Sequence, residues 1–127
     1  MGCNSPEPNA IEKSRELEGT WELLIRHDCQ GYPIRSDTLT LHADGTFDQE
    51  TTMKDGRSIR AEGQRWAYVE KNSISLNKRR DWESHSEAET VIRPEGRAEV
   101  EVLIVHFESP PVILLNPDSD CMYVKAR

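Results

Sequence analysis

The chain has 127 residues, with 16 lysines and arginines against 23 aspartates and glutamates, a formal net charge of −7. That length suits one domain, and an acidic balance of this size argues against a general nucleic-acid or anionic-membrane surface. Hydrophobic residues are 35% of the chain and charged ones 31%, so the core must be thin, and no stretch approaches the roughly 20 apolar residues of a membrane-spanning helix.

Residues 1–9, M-G-C-N-S-P-E-P-N, read as a flexible leader or tether, because two prolines and polar neighbours cannot build regular structure. Residues 10–127 form the single domain. Residues 10–18, A-I-E-K-S-R-E-L-E, are good helix formers, with Asn9 as a candidate cap and Gly19 as a stop. Only Ile11 and Leu17 are large and apolar there, which predicts one short helix lying on something else.

From Thr20 onward the apolar period changes to two. Trp21, Leu23 and Ile25 share one strand face, opposite Glu22, Leu24 and Arg26. After a loop with Gly31 and Pro33, Leu39 and Leu41 share a face, opposite Thr38, Thr40 and His42. Asp44-Gly45 is a hairpin turn. The return strand carries Phe47, Gln49, Thr51 and Met53 on one side, and a second turn sits at Asp55-Gly56. A longer strand over residues 57–69 holds Gly63 near its middle, where a bulge is natural, and places Trp66 and Tyr68 on one face. Lys71-Asn72 turns into a strand with Ile74 and Leu76 on one face.

Residues 77–83 are a charged connection in which Lys78-Arg79-Arg80, flanked by Asp81 and Glu83, reads as a solvated loop. Strands are expected near residues 86–92 and 98–107, with Pro94-Glu95-Gly96 between them. The second alternates Val100, Val102 and Ile104 against Glu99, Glu101 and Leu103, and turns apolar on both faces toward Val105 and Phe107. Pro110-Pro111 breaks it; P-V-I-L-L is a short strand, N-P-D-S-D a turn and C-M-Y-V-K the last strand. About eight short strands joined by tight turns predict an all-β, antiparallel up-and-down barrel.

Gly19-Thr20-Trp21 opens the first strand just after a short helix. Together with G-T-W-E-L, L-T-L-H-A-D-G-T-F and R-W-A-Y-V-E-K-N-S-I-S-L, this resembles the lipocalin and wider calycin group, and within it small bacterial lipocalin-like domains, many of them lipoproteins. The resemblance covers residues 19–127. It implies an eight-stranded barrel whose tryptophan closes one end, with a basic side chain from the last strand across its ring. Arg127 and Lys125 are the candidates, and a cation over an indole is favourable. An eight-stranded barrel is either filled by side chains or holds one small ligand. The inward candidates are Phe47, Met53, Trp66, Tyr68, Ile74 and Ile104.

Gly2-Cys3 matches the last two positions of a bacterial lipoprotein signal, and residues 4–9 fit the polar tether that follows a lipidated cysteine; the apolar part of such a signal would stand upstream of Met1. N-myristoylation at Gly2 with palmitoylation at Cys3 is a weaker fit, since Pro6 occupies the position that favours serine or threonine. Cysteines at 3, 29 and 121 permit one intramolecular pair. In a closed antiparallel barrel the first and last strands are neighbours, so Cys29 and Cys121 are the candidate disulfide, in an exported compartment.

No grouping of catalytic type stands out. His27, His42, His85 and His106 lack metal-ligand spacing, and His42 with Asp44, or Asp118 with Asp120, read as turn chemistry. His27-Asp28-Cys29 are sequence neighbours, which a strand points to opposite faces. No catalytic residue, metal, cofactor or nucleic acid is expected. The sequence therefore points to a non-enzymatic lipocalin-like barrel that binds a small apolar ligand at the bacterial cell envelope, membrane-anchored or periplasmic. The alternatives are an envelope interaction or structural module with a filled barrel and no ligand, and a soluble cytoplasmic setting. Oligomeric state is left open.

Overall fold

The computed structural model describes residues 9–25, 32, 34–79, 100–107, 110–115 and 121–126. One helix, α1 (Ala10–Leu17), precedes eight strands: β1 (Gly19–Leu24), β2 (Ile34–Leu41), β3 (Thr46–Met53), β4 (Ser58–Tyr68), β5 (Ser73–Asn77), β6 (Val100–His106), β7 (Val112–Leu114) and β8 (Met122–Lys125). Each strand pairs with its sequence neighbours, and β8 returns to β1, so the sheet closes into a barrel. Trp21 pairs with Leu39 of β2 and with Lys125 of β8 in an antiparallel register. Closure gives each of these strands a partner on both sides, which removes the usual template for edge-to-edge aggregation.

The expected turns are built from their own side chains. Asp44 accepts the backbone N–H of Thr46 at 3.0 Å and its hydroxyl at 2.6 Å. Asp55 accepts the N–H of Arg57 in the same way at 3.0 Å. The glycines that follow, Gly45 and Gly56, take φ of 88° and 96°, a region open to glycine at no steric cost. The bulge expected on β4 forms at Gly63. Phe47 pairs with Gln64 but Gln49 with Ala61, so Glu62 and Gly63 together oppose Asp48 alone.

The barrel interior is the core. Trp21, Leu39, Phe47, Met53, Ile74, Leu76, Val105, Ile113 and Tyr123 have no exposed surface. The period-two reading of β1 to β5 therefore places its apolar faces inward. On β6 the face is reversed from expectation. Ile74 pairs with Leu103 and Val105 with Ile113, which turns Leu103 and Val105 inward and leaves Ile104 42% exposed on the outside. Ile104 is thus not an interior residue. Where a strand is apolar on both faces, alternation alone cannot choose the inner one.

Helix α1 begins at Asn9, which has φ of 69° and makes no side-chain cap. The helix closes the end of the barrel nearest Trp21. Leu17 is fully buried, and the indole Nε1 of Trp21 donates to the Leu17 carbonyl at 2.8 Å. The Nζ of Lys125 lies 6.0 Å from the Trp21 ring centroid and also donates to the Glu16 carbonyl at the helix end. Gly19 makes room for this: with φ of 124°, a Cβ there would come within 3.2 Å of Lys125 Cε.

Candidate functional site

Two features of the barrel depart from a plain core and shell: a polar network inside it and an apolar wall outside it. The network starts from Asp37, only 1% exposed although it is a carboxylate. Gln49 Nε2 donates to both of its oxygens at 3.2 and 3.0 Å, and Thr51 Oγ1 donates to one at 2.7 Å. The Tyr123 hydroxyl donates to the other. Arg79 Nη1 in turn donates to the Tyr123 oxygen at 3.2 Å. The Arg79 guanidinium grips Glu101 by two bonds, Nε to Oε1 at 2.5 Å and Nη2 to Oε2 at 3.0 Å. Arg79 is fully buried, so the expected solvated loop at residues 78–80 is corrected at this residue: it enters the barrel rather than facing water. Burying an arginine is costly unless it is paired and hydrogen-bonded, and Glu101 with Tyr123 meets that condition.

This network fixes how the interior is used. A void large enough for even one water leaves accessible surface on the side chains around it. Trp21, Leu39, Phe47, Met53, Ile74, Leu76, Val105, Ile113 and Tyr123 show none, and neither do Gln49, Thr51 and Arg79, while Leu103 keeps 6%. Side chains therefore occupy the space between these strands, with the polar set at the end away from α1 and Trp21 at the other.

Of the interior candidates, Phe47, Met53, Trp66 and Ile74 are buried. Trp66 also donates its indole N–H to the His42 carbonyl at 2.9 Å. Tyr68 is half-buried at the rim beneath α1, edge-on to Phe107 at 6.1 Å, with Lys13 over both rings. Ile104 lies outside, as described. Gly19 and Trp21 form the closed end with Lys125; Arg127 lies outside the described residues. Cys121 is disulfide-bonded, while its expected partner Cys29 and the anchor candidate Cys3 lie outside the described residues. The same holds for the strand expected near residues 86–92, for His27, Asp28 and His85, and for Asp118 and Asp120.

His42 does not join Asp44. Its Nε2 meets Asp48 at 2.9 Å on the outer surface, and Asp44 serves the turn. The His42 hydrogen bond holds the Asp48 carboxyl below the ordinary range, helped by the Gly63 N–H and opposed by partial burial. The Thr46 hydroxyl and N–H do the same for Asp44. Among the described residues, no three His, Cys, Asp or Glu side chains group to hold a metal ion.

The outer wall is divided. On β2, β3 and β4 most outward positions are polar or charged, among them Thr38, Thr40, Asp48, Glu50, Thr52 and Arg60, with Ala67 and, just past β4, Val69 the apolar exceptions; on β5 they are Ser73, Ser75 and Asn77. From β6 around to β1 most of them are apolar, with His106 and Glu22 the polar exceptions. One cross-strand row runs Ile104, Leu114, Met122 and Leu24, of which Leu114 is itself buried; the next runs His106, Val112, Val124 and Glu22. Val102 extends the first row's side of β6 and is 59% exposed. A groove of about 390 Å³ lies on this wall, lined by Glu22, Leu24, Pro110, Val112, Met122 and Val124. Single exposed hydrophobic residues are ordinary on a soluble protein, but a contiguous patch rimmed by polar groups marks a contact surface.

The class these observations define is a closed, eight-stranded, antiparallel up-and-down barrel capped by one short helix, an architecture compatible with a lipocalin-like fold. No protein-family model, curated protein or solved structure matches the chain.

Proposed function

We propose that this chain is a non-enzymatic lipocalin-like binding module in which the barrel is a filled scaffold and the apolar outer wall of β6, β7, β8 and β1 is the working surface. The observation that carries the reading is the pairing of an interior packed with side chains, among the described residues, with the exposed apolar side chains Val102 and Ile104 and an apolar groove on the outside of β7, β8 and β1. A small hydrophobic ligand held inside, the other function the lipocalin resemblance implies, has to displace side chains that are hydrogen-bonded or packed without a gap. The proposal includes a bacterial envelope setting, with a membrane tether through Cys3. It is supported by Gly2-Cys3, by the polar residues 4–9, and by the position of α1 directly after them.

Mass spectrometry of an organic extract of the purified protein tests the occupancy, and an apolar fluorescent probe tests the wall. The expected result is a clean extract, with probe fluorescence that falls when Val102→Lys or Met122→Lys places charge on the outside. A hydrophobe recovered near one-to-one, retained in both outer variants and lost in Met53→Trp, overturns the reading. Attachment of labelled fatty acid at Cys3 in a bacterial host carrying the natural upstream sequence tests the tether; an unlabelled chain removes it.

A further inference from the structure

The two ends of the barrel are closed by opposite chemistry. At one end Trp21 is fully buried, Leu17 of α1 is buried with it, and the indole N–H donates to the Leu17 carbonyl. Exposing that end gives up a large apolar surface with nothing returned. At the other end a cation fills the space. Arg79 is fully buried; its guanidinium donates to Glu101 from Nε at 2.5 Å and Nη2 at 3.0 Å, and to the Tyr123 oxygen from Nη1 at 3.2 Å. The Glu101 side chain keeps 11% of its surface exposed, so the pair lies at the edge of water. Opening here has a return: both charges recover their hydration, which largely offsets the attraction they lose.

The two sides of this contact are also mounted differently. Glu101, Tyr123 and Asp37, with its donors Gln49 and Thr51, stand on strands β6, β8, β2 and β3, each paired on both sides. Arg79 stands beyond a strand. Asn77, opposite Val100, is the last paired residue of β5, and Arg79 follows two positions later. Between them Lys78 is exposed and takes φ of 63°, the left-handed region that disfavours any residue with a Cβ. That turn points Arg79 inward, and it is relieved when Arg79 leaves. A long side chain on such a mount reaches water by rotating about its own bonds and those of Lys78. No bond between strands has to break, and the groups it leaves stay in place.

We propose that Arg79 is a latch at the end of the barrel away from α1. Its guanidinium leaves Glu101 and Tyr123 for water in a local opening, while the sheet and the Trp21 end stay closed. The opening uncovers the Glu101 carboxylate and the Tyr123 hydroxyl, with Asp37 behind them. The latch is independent of what the outer wall contacts.

Hydrogen exchange of two side-chain N–H groups, followed by NMR on the full chain at low urea, reads the outcome. A proton released only by complete unfolding exchanges faster as urea is added, whereas one released by a local opening does not. The Arg79 Nε–H is expected to exchange with almost no urea dependence, and the Trp21 Nε1–H to follow global unfolding. Lys78→Gly, which fits the left-handed turn, slows Arg79 exchange, and Lys78→Val, which fits it worst, speeds it. The two variants are expected to differ about fivefold or more, with the urea dependence at Trp21 unchanged. Glu101→Gln, which exchanges a charged acceptor for a neutral one, raises Arg79 exchange about tenfold. Equal urea dependence at both protons overturns the latch by making the two ends one cooperative unit. Local exchange at Arg79 that ignores both Lys78 variants and Glu101→Gln also overturns it, by placing the opening elsewhere.

Discussion

Replacing Tyr123 by phenylalanine isolates one atom of the buried network. The ring stays, so no cavity opens; only the hydroxyl is lost. That hydroxyl donates to Asp37 and accepts from Arg79 Nη1. Both partners are ionisable side chains, and each is at most 1% exposed. A hydrogen bond to a charged group contributes about 1.5–3 kcal/mol, and an unpaired buried polar group costs a similar amount. The two bonds share one oxygen and polarise each other, so their loss is not independent. The expected destabilisation is about 3–4 kcal/mol, against a total stability of about 5–15 kcal/mol for a domain of this kind. For 127 residues, about 4 °C of Tm accompanies each kcal/mol, so Tm falls by roughly 12–16 °C. Urea unfolding followed by tryptophan fluorescence is the assay, with an unchanged slope as the check that only stability has moved. Thr51→Val, which removes one donor from the same carboxylate, is expected to cost about 1.5–3 kcal/mol and to be non-additive with Tyr123→Phe. A loss below about 1 kcal/mol for Tyr123→Phe refutes the idea that the network is a tightly satisfied unit.

Arg79→Met leaves Glu101 without its bidentate partner at the barrel mouth and is expected to cost about 3–5 kcal/mol in the same unfolding assay; a cost near zero places Glu101 in contact with water. Gly19→Ala strains a backbone at φ 124° and presses on Lys125, for about 1–3 kcal/mol, and it should redden Trp21 emission as the closing contact loosens; an unchanged spectrum and midpoint count against the closure. Asp48 and Asp44 ionise more readily in the folded chain than in the unfolded one. The stability they add is therefore full above pH about 4 and is lost as pH falls through their lowered folded values. The gap in Tm between the parent and Asp48→Asn should close over that acid range; a gap that widens there contradicts the assignment.

Much of this barrel was legible because its early strands are half-polar. The same alternation that faces Leu39 and Leu41 inward also faces Asp37 inward, and Gln49 and Thr51 share the face of Phe47 and Met53. The interior of the network could thus be read by parity, with no hint of what its members would bond. Arg79 could not, because it follows a strand end and sits in a charged run where no period applies; only the shape of the closed sheet turns it inward. Strand β6 failed for the opposite reason. With Val102, Leu103, Ile104 and Val105 in succession, both faces are apolar, and the inner one is chosen by pairing with β5 and β7. That same double-sidedness was the trace of the outer wall. The tryptophan closure was readable from Gly19 and Trp21, whereas Lys125 became its cation through the β1–β8 register.

The contact between Lys125 and Glu16 joins residues 109 positions apart in the chain. A protein growing from its N-terminus makes the helix, the closing tryptophan on β1 and the strands β2 to β7 before the residues that seal them exist. Until β8 emerges, β1 has a bare edge and Trp21 lacks both its cation and one neighbouring strand. The barrel cannot be completed piece by piece: its first and last elements are each other's missing half. Closure is thereby held back until β8 has been made, and loss of that strand removes the seam on which the enclosure depends.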